Sequence, residues 1–410
     1  MNKLSIPGES SSSSTAHKLH ASTVPRDEGP IPSLSVSSSL DQAASSPSIP
    51  NIPLDLISHL ILPFVADRVT WNSMYSASKE LYLAGKKMTP PWPNTTLNVG
   101  HVGAVRNVAF SPSNSQLAFD ITYQYIIHVW DRWGKETLLA GHTSGTLCLE
   151  YSSDGEYLAS GSHDIRIWHT KSFHATCSKT SKERQAETIL LVSRYDRIII
   201  LSFSRTDSNI LASGGSHGEI KVWDVKEQAC ICAFAPGHGM IRSLSFAGGA
   251  NSTCIAIAHS GSIIRLWKAK GSSDFACETI GEAAGRRGGY NPRAVFSICG
   301  SFLATIMNSY GENASTLALY ELGTMTKTQS VLIPGMSACC FAVSPDSKQL
   351  VVGDYMGRIR LVPTDDLSNQ SELNTRRRSS KTAVFSVAFD PTCRVLAFGC
   401  RDGSLELRTL

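Results

Sequence analysis

A phrase of about 44 residues recurs seven times along this chain, and it starts out of phase. Each phrase runs from a Gly-His pair to an apolar strand, a Ser-Pro-type turn, a second strand, a tight turn and a Trp-bearing third strand. It is clearest from Gly141-His142 to Trp168 and from Leu211 to Trp223-Asp224. The last phrase ends on its third strand, 404–410, and a strand of matching pattern, 95–100, stands ahead of the first. One strand short at the end and one spare at the start make a whole number of units only if the array closes on itself. Closure also hides the strand edges that an open array leaves exposed. The expectation is therefore a closed ring, with 95–100 paired beside 404–410 as the outer strand of the seventh unit.

The strand reading rests on short apolar or alternating runs set between turn residues. First strands fall at 105–110, 146–151, 198–203, 241–246, 293–296, 338–343 and 384–389. Third strands end at Trp130, Trp168, Trp223 and Trp267, and the same slot then holds Tyr320, Val362 and Arg408. Spans of roughly 40 to 50 residues match the period of propeller blades. With Trp130-Asp131 and Trp223-Asp224, the pattern resembles the WD-repeat (WD40) family, whose fold is a ring of four-stranded blades. Blades five to seven are degenerate and are read from apolar pattern alone. The expected fold is all-β: a seven-bladed WD40-type β-propeller over 94–410.

Two segments precede the ring. Residues 1–48 are Ser- and Pro-rich, with Ser10 to Ser14 in one run, and cannot bury enough apolar surface to offset ordering; this is a disordered tail. Residues 49–90 place Leu54, Ile57, Leu60 and Ile61 at helical spacing behind Pro53, and Pro90, Pro91 and Pro93 close the segment as a stiff connector. Such a helical unit is too small to hold a core alone.

Composition narrows the function. Of 410 residues 42% are apolar, enough for a buried core, and the net charge of +4 calls for neither nucleic acid nor anionic lipid. No run approaches the 18 or so apolar residues of a membrane helix. The N-terminal sequence lacks the apolar stretch of a secretory signal. Eleven Cys, with no C-x-x-C pair, fit a reduced cytoplasmic or nuclear protein without structural metal. Cys148, Cys299 and Cys393 are placed inside apolar strands as small hydrophobes.

No constellation points to an enzyme or a cofactor. Gly214-Gly-Ser-His-Gly218 fits the G-x-S-x-G nucleophile pattern, but 219–224 is the next strand, so the match reads as a β-turn. In the WD-repeat family a His, a Ser or Thr, an Asp and the Trp form a hydrogen-bonded network. His142, Ser160, Asp164 and Trp168 of blade two come nearest, with a turn two residues shorter than the family's that leaves the place of Asp164 open. All four are read as structural.

Interaction is what remains. Three long inter-blade loops carry Lys179, Lys182 and Arg184; Arg286, Arg287 and Arg293; and Arg376, Arg377, Arg378 and Lys381. All join a fourth strand to the next first strand, so they share one rim, and Arg286, Arg287 and Arg376–Arg378 fit an acidic or phosphorylated client. Residues 52–64 resemble the start of an F-box, with Ala77-Ser-Lys-Glu-Leu81 matching a later stretch of that family. The resemblance implies binding to the adaptor of a cullin-type ubiquitin ligase through Pro53, Leu54, Leu56, Ile57, Leu60 and Phe64. The expected function is thus a protein-interaction scaffold, a ubiquitin-ligase substrate receptor; the alternative is a WD40 scaffold for another complex.

Overall fold

In a computed structural model the described residues are Trp92, 95–98 and 103–410, apart from 114, 133, 178–187, 192–196, 236–238, 250–253, 261–263, 270–274, 279–289, 310–312, 323, 325 and 374–381. Both N-terminal segments, 1–48 and 49–90, lie outside them. The described strands form seven four-stranded antiparallel sheets. Six contain four consecutive strands; blade one, for example, is Val105–Phe110, Gln116–Ile121, Ile126–Asp131 and Glu136–Ala140. The seventh contains Val384–Phe389, Val395–Cys400 and Ser404–Thr409, completed by Thr95–Asn98 from the other end of the array. The closing pair is antiparallel, with Thr95 opposite Leu407 and Asn98 opposite Ser404. The fold is the expected all-β, seven-bladed propeller, closed by its N-terminal strand. No helix among the described residues is long and apolar enough to cross a membrane.

The repeat is legible residue by residue in the register. The last residue of each first strand (Phe110, Tyr151, Phe203, Phe246, Phe296, Val343, Phe389) faces a Leu or Ile that opens the second-strand core. That same residue faces Trp130, Trp168, Trp223, Trp267, Tyr320, Val362 or Arg408 on the third strand. The degenerate blades therefore keep the phase of the intact ones. Two first strands differ in extent from expectation, at Cys148–Tyr151 and Tyr290–Phe296.

Apolar clusters sit between blades rather than within them. Each joins the second and third strands of one blade to the first strand of the next; Ala212, Ile220 and Val222 pack on Ile241, Leu244 and Phe246. The closing seam is built in the same way, with Val395, Ala397, Leu405 and Leu407 of blade seven against Val105, Val108 and Phe110 of blade one. A recurrent device brings neighbours close. Gly161 leaves room for Ile198, whose Cγ2 would lie 2.7 Å from an added Cβ, and Gly399 leaves the same room for Val105 Cγ1 at 2.5 Å. The ring therefore closes with an ordinary seam.

In every blade but the second, the first strand slips register near its start, which frees backbone N–H groups there. Blade one answers with Asp120, buried, which accepts from Arg106 N at 3.2 Å, Asn107 N at 2.8 Å and Asn107 Nδ2 at 3.0 Å. Burial outweighs these hydrogen bonds and pushes its pKa up to about 6.

Two cysteines depart from the sequence reading. Cys299 is exposed and Cys393 half-buried, and both stand in turns between first and second strands. Cys393 adopts φ +58°, a turn conformation that its apolar neighbours in sequence do not disclose.

Candidate functional site

Blade two holds the complete polar network. His142 Nδ1 lies 2.7 Å from Asp164 Oδ1, His142 Nε2 lies 2.7 Å from Ser160 Oγ, and Trp168 Nε1 donates to Ser160 Oγ at 2.9 Å. The shorter turn still carries Asp164 to the imidazole. Burial lowers the His142 pKa, Arg166 adds to that effect and Asp164 opposes it. A neutral ring with its proton on Nδ1 donates to Asp164 and accepts from Ser160. The order Ser–His–Asp copies that of a hydrolytic triad. Here Ser160 is 0% exposed and its oxygen already serves Trp168, so the arrangement offers a substrate no approach. It staples the second and third strands to the chain entering the blade.

The other blades keep the Trp slot and change its chemistry. Blade three retains Trp223 Nε1 donating to Ser213 Oγ at 2.8 Å. In blade one Phe119 occupies the Ser position and stacks on His128, while Trp130 Nε1 donates to Glu136 Oε1 at 3.0 Å. In blade four Ile257 occupies it, Trp267 Nε1 is buried without a hydrogen-bond partner, and the indole stacks on Phe234 at 4.0 Å. Blade six uses Asp354, fully buried, against Arg358 at 2.6 Å. Blade five uses Asn308, which exchanges two 2.9 Å hydrogen bonds with Ala338 of the next blade. The Gly214–Gly218 match is a strand–turn–strand, with Gly215 N donating to Glu219 O at 2.9 Å. It has no nucleophile elbow.

The cavity of the ring is its axial channel, lined by residues of all seven first strands. It has two chambers. The one at the far ends of the first strands has about 620 Å³ and is lined by Glu150, Arg205 and several serines. The other, at the starts of those strands, has about 480 Å³. Burial pushes the Glu150 pKa up to about 7, against the pull of Arg205, whose Nη2 is 4.0 Å away.

Of the rim arginines expected from sequence, Arg286, Arg287, Arg376, Arg377 and Arg378 lie outside the described residues, as do Pro53, Leu54, Leu56, Ile57, Leu60 and Phe64. Arg293, the third basic residue of its loop, reaches the channel wall. Sequence reasoning passed over Trp92. It is buried in the closing seam, edge-on to Phe110 at 5.5 Å, with the Arg132 guanidinium 5.6 Å from its ring. A large aromatic alone among prolines was the available signal. Also unforeseen are the exposed Tyr123 and Tyr125, at φ +75° and +56° in one turn of blade one, and the exposed Tyr355 and Met356 in the matching turn of blade six.

Comparison with known proteins agrees with the repeat. The family model "WD domain, G-beta repeat" matches residues 134–169 and 371–407. Each match takes the fourth strand of one blade with three strands of the next, which is the sequence phase rather than the blade phase. The second match takes in three strands of blade seven and stops at 407, one residue short of Arg408 in the Trp slot. Mouse striatin-4 is 22% identical over 329 residues, covering 76% of this chain and 42% of striatin-4. Mouse pre-mRNA-processing factor 19 is 26% identical over 152 residues, covering 36% of this chain and 28% of that protein. The chain thus spans less than half the length of these relatives. A chain in the crystal structure of the mitotic checkpoint complex superposes with a TM-score of 0.60 at 16% identity, over 79% of this chain and 93% of that one. The chain carries WD40 repeats on a seven-bladed β-propeller.

Proposed function

We propose that this chain is a non-enzymatic interaction scaffold of the cytoplasm or nucleus, and specifically a substrate receptor of a cullin-type ubiquitin ligase. The ring holds the client and residues 52–83 dock the adaptor through Pro53, Leu54, Leu56, Ile57, Leu60 and Phe64. Chemistry then belongs to the ligase, and this chain supplies proximity. The observation that carries the reading is Trp92. Trp92 follows the F-box-like segment in sequence and is buried in the closing seam, so whatever grips 52–83 is tethered to the ring by about ten residues. A receptor needs such a short link, because effective concentration falls as a linker lengthens.

Adaptor pull-down tests it, comparing the intact chain with a Pro53→Ala, Leu56→Ala, Phe64→Ala variant. Capture by the intact chain and loss in the variant is the expected result; no capture by the intact chain removes the ligase role. A second reading is then left, a WD40 scaffold of another multiprotein assembly. The similarity to a chain of the mitotic checkpoint complex favours it.

A further inference from the structure

We propose that the chamber at the far ends of the first strands binds a free amino acid with an apolar side chain, its charged head beside Glu150 and Arg205 and its side chain against the opposite wall. The site stands apart from adaptor docking at 52–83. Among the residues described in its wall, Glu150 is the one acid, and Arg205 and Arg293 are the cations. Arg293 lines both chambers and so stands between them. Glu150 and Arg205 approach to 4.0 Å, which is attraction without a hydrogen bond. Both are half-buried, line the chamber and keep hydrogen-bonding capacity to spare.

The serines around this pair are already engaged. Ser202 Oγ accepts from Phe246 N at 3.3 Å, Ser245 Oγ accepts from Phe296 N at 3.2 Å, and Ser243 Oγ donates to Ala294 O at 2.7 Å. Each bond stitches one first strand to the next blade, which leaves the charged groups as the partners on offer. Burial penalises the carboxylate, raising the Glu150 pKa to about 7 against the pull of Arg205 and the Phe203 backbone N–H. A cation brought beside Glu150 relieves that penalty. An amine alone is repelled by Arg205, and a carboxylate alone by Glu150. The α-amino acid zwitterion answers both, because it carries the two charges on one carbon.

Ring order sets the rest of the ligand. The turns that follow the first strands bring Ile298, Pro345, Pro391 and Pro112 to the chamber from blades five, six, seven and one. These four blades are consecutive, because the closing seam joins blade seven to blade one. Blades two and three, on the other side, bring Ser153 and Arg205. One wall is thus apolar, and the other carries the Glu150–Arg205 pair. Ile298 is exposed, an apolar surface that a hydrocarbon or aromatic side chain covers with gain. The volume of about 620 Å³ lies within the roughly 300–1,000 Å³ of small-molecule sites.

The test is isothermal titration calorimetry of the full chain with L-phenylalanine and L-leucine, each beside its deaminated and its decarboxylated analogue. The amino acid should bind about tenfold or more tightly than either analogue, since each analogue lacks one charge of the head. Glu150→Gln and Arg205→Ala should each weaken binding by about tenfold or more at unchanged melting temperature. Glu227→Gln, exposed in a turn of blade three, should leave it intact. Because the bound ammonium holds Glu150 ionised, binding at pH 7 should release protons, so that the measured heat varies with the ionisation enthalpy of the buffer. Glu150→Gln should abolish that variation, which a merely structural residue would leave unchanged. No binding of either amino acid by the intact chain, analogues that bind as tightly, or unweakened binding by either variant overturns the proposal. Adaptor capture, read on the same preparations, reports on residues 52–83 and not on this chamber, so failure of either reading shows by itself.

Discussion

Blade two and blade four solve one packing problem with different chemistry. Both place a Trp at the end of the third strand, opposite the residue that opens the second-strand core. In blade two Ser160 receives the indole N–H and passes the network to His142 and Asp164. In blade four Ile257 stands where the serine would be, and the indole is held by Phe234 and the seam with its N–H unpaired. Blade four nevertheless keeps its four strands paired, with only the first-strand slip that every blade but the second shows. The lesson is that the polar network refines a blade while the apolar seam makes it.

This comparison can be broken or sharpened by exchanging the chemistry at the serine position. The larger effect is expected in blade two. Ser160→Ala leaves two buried groups, His142 Nε2 and Trp168 Nε1, without partners, at a cost of about 2–4 kcal/mol. Denaturant unfolding of the variant measures it; a cost below about 1 kcal/mol would show that the blade-two network is as dispensable as blade four implies. The smaller effect is expected in blade four. Ile257→Ser offers Trp267 an acceptor worth about 1 kcal/mol but forfeits buried apolar volume worth about 2–3 kcal/mol. A net loss of about 1–2 kcal/mol is therefore expected, and a gain in stability would reverse the ranking of seam over network.

Much of the fold was legible in sequence because blades repeat. Period, turn residues and the out-of-phase strand together required seven blades and their closure, and Thr95–Asn98 supplies the missing strand. Strand positions held even where Trp gives way to Val362 or Arg408, since the apolar residues around the slot, such as Leu405 and Leu407, keep the seam's phase. What escaped was whatever short-range sequence pattern does not carry. Trp92 looked like part of a spacer because its partner Phe110 lies across the closing seam. Cys299 and Cys393 looked like strand residues because local apolar composition does not distinguish a strand from the turn beside it. Arg106, Arg242 and Arg293 were invisible as a group, because they come to line one chamber of the channel only once the ring has placed blade one across from blades four and five. The sequence pointed instead to loop arginines at 286–287 and 376–378, which lie outside the described residues.

Closure is the central claim, and thermal unfolding of a chain lacking residues 94–100 tests it most directly. That deletion removes the outer strand of blade seven and frees the edge of Ser404–Thr409, while Trp92 and the connector remain. The account predicts a fall in melting temperature of about 10 °C or more, or the loss of a single cooperative transition. An unchanged melting temperature and an equally sharp transition would contradict it, since the ring would then be held without the strand that completes it.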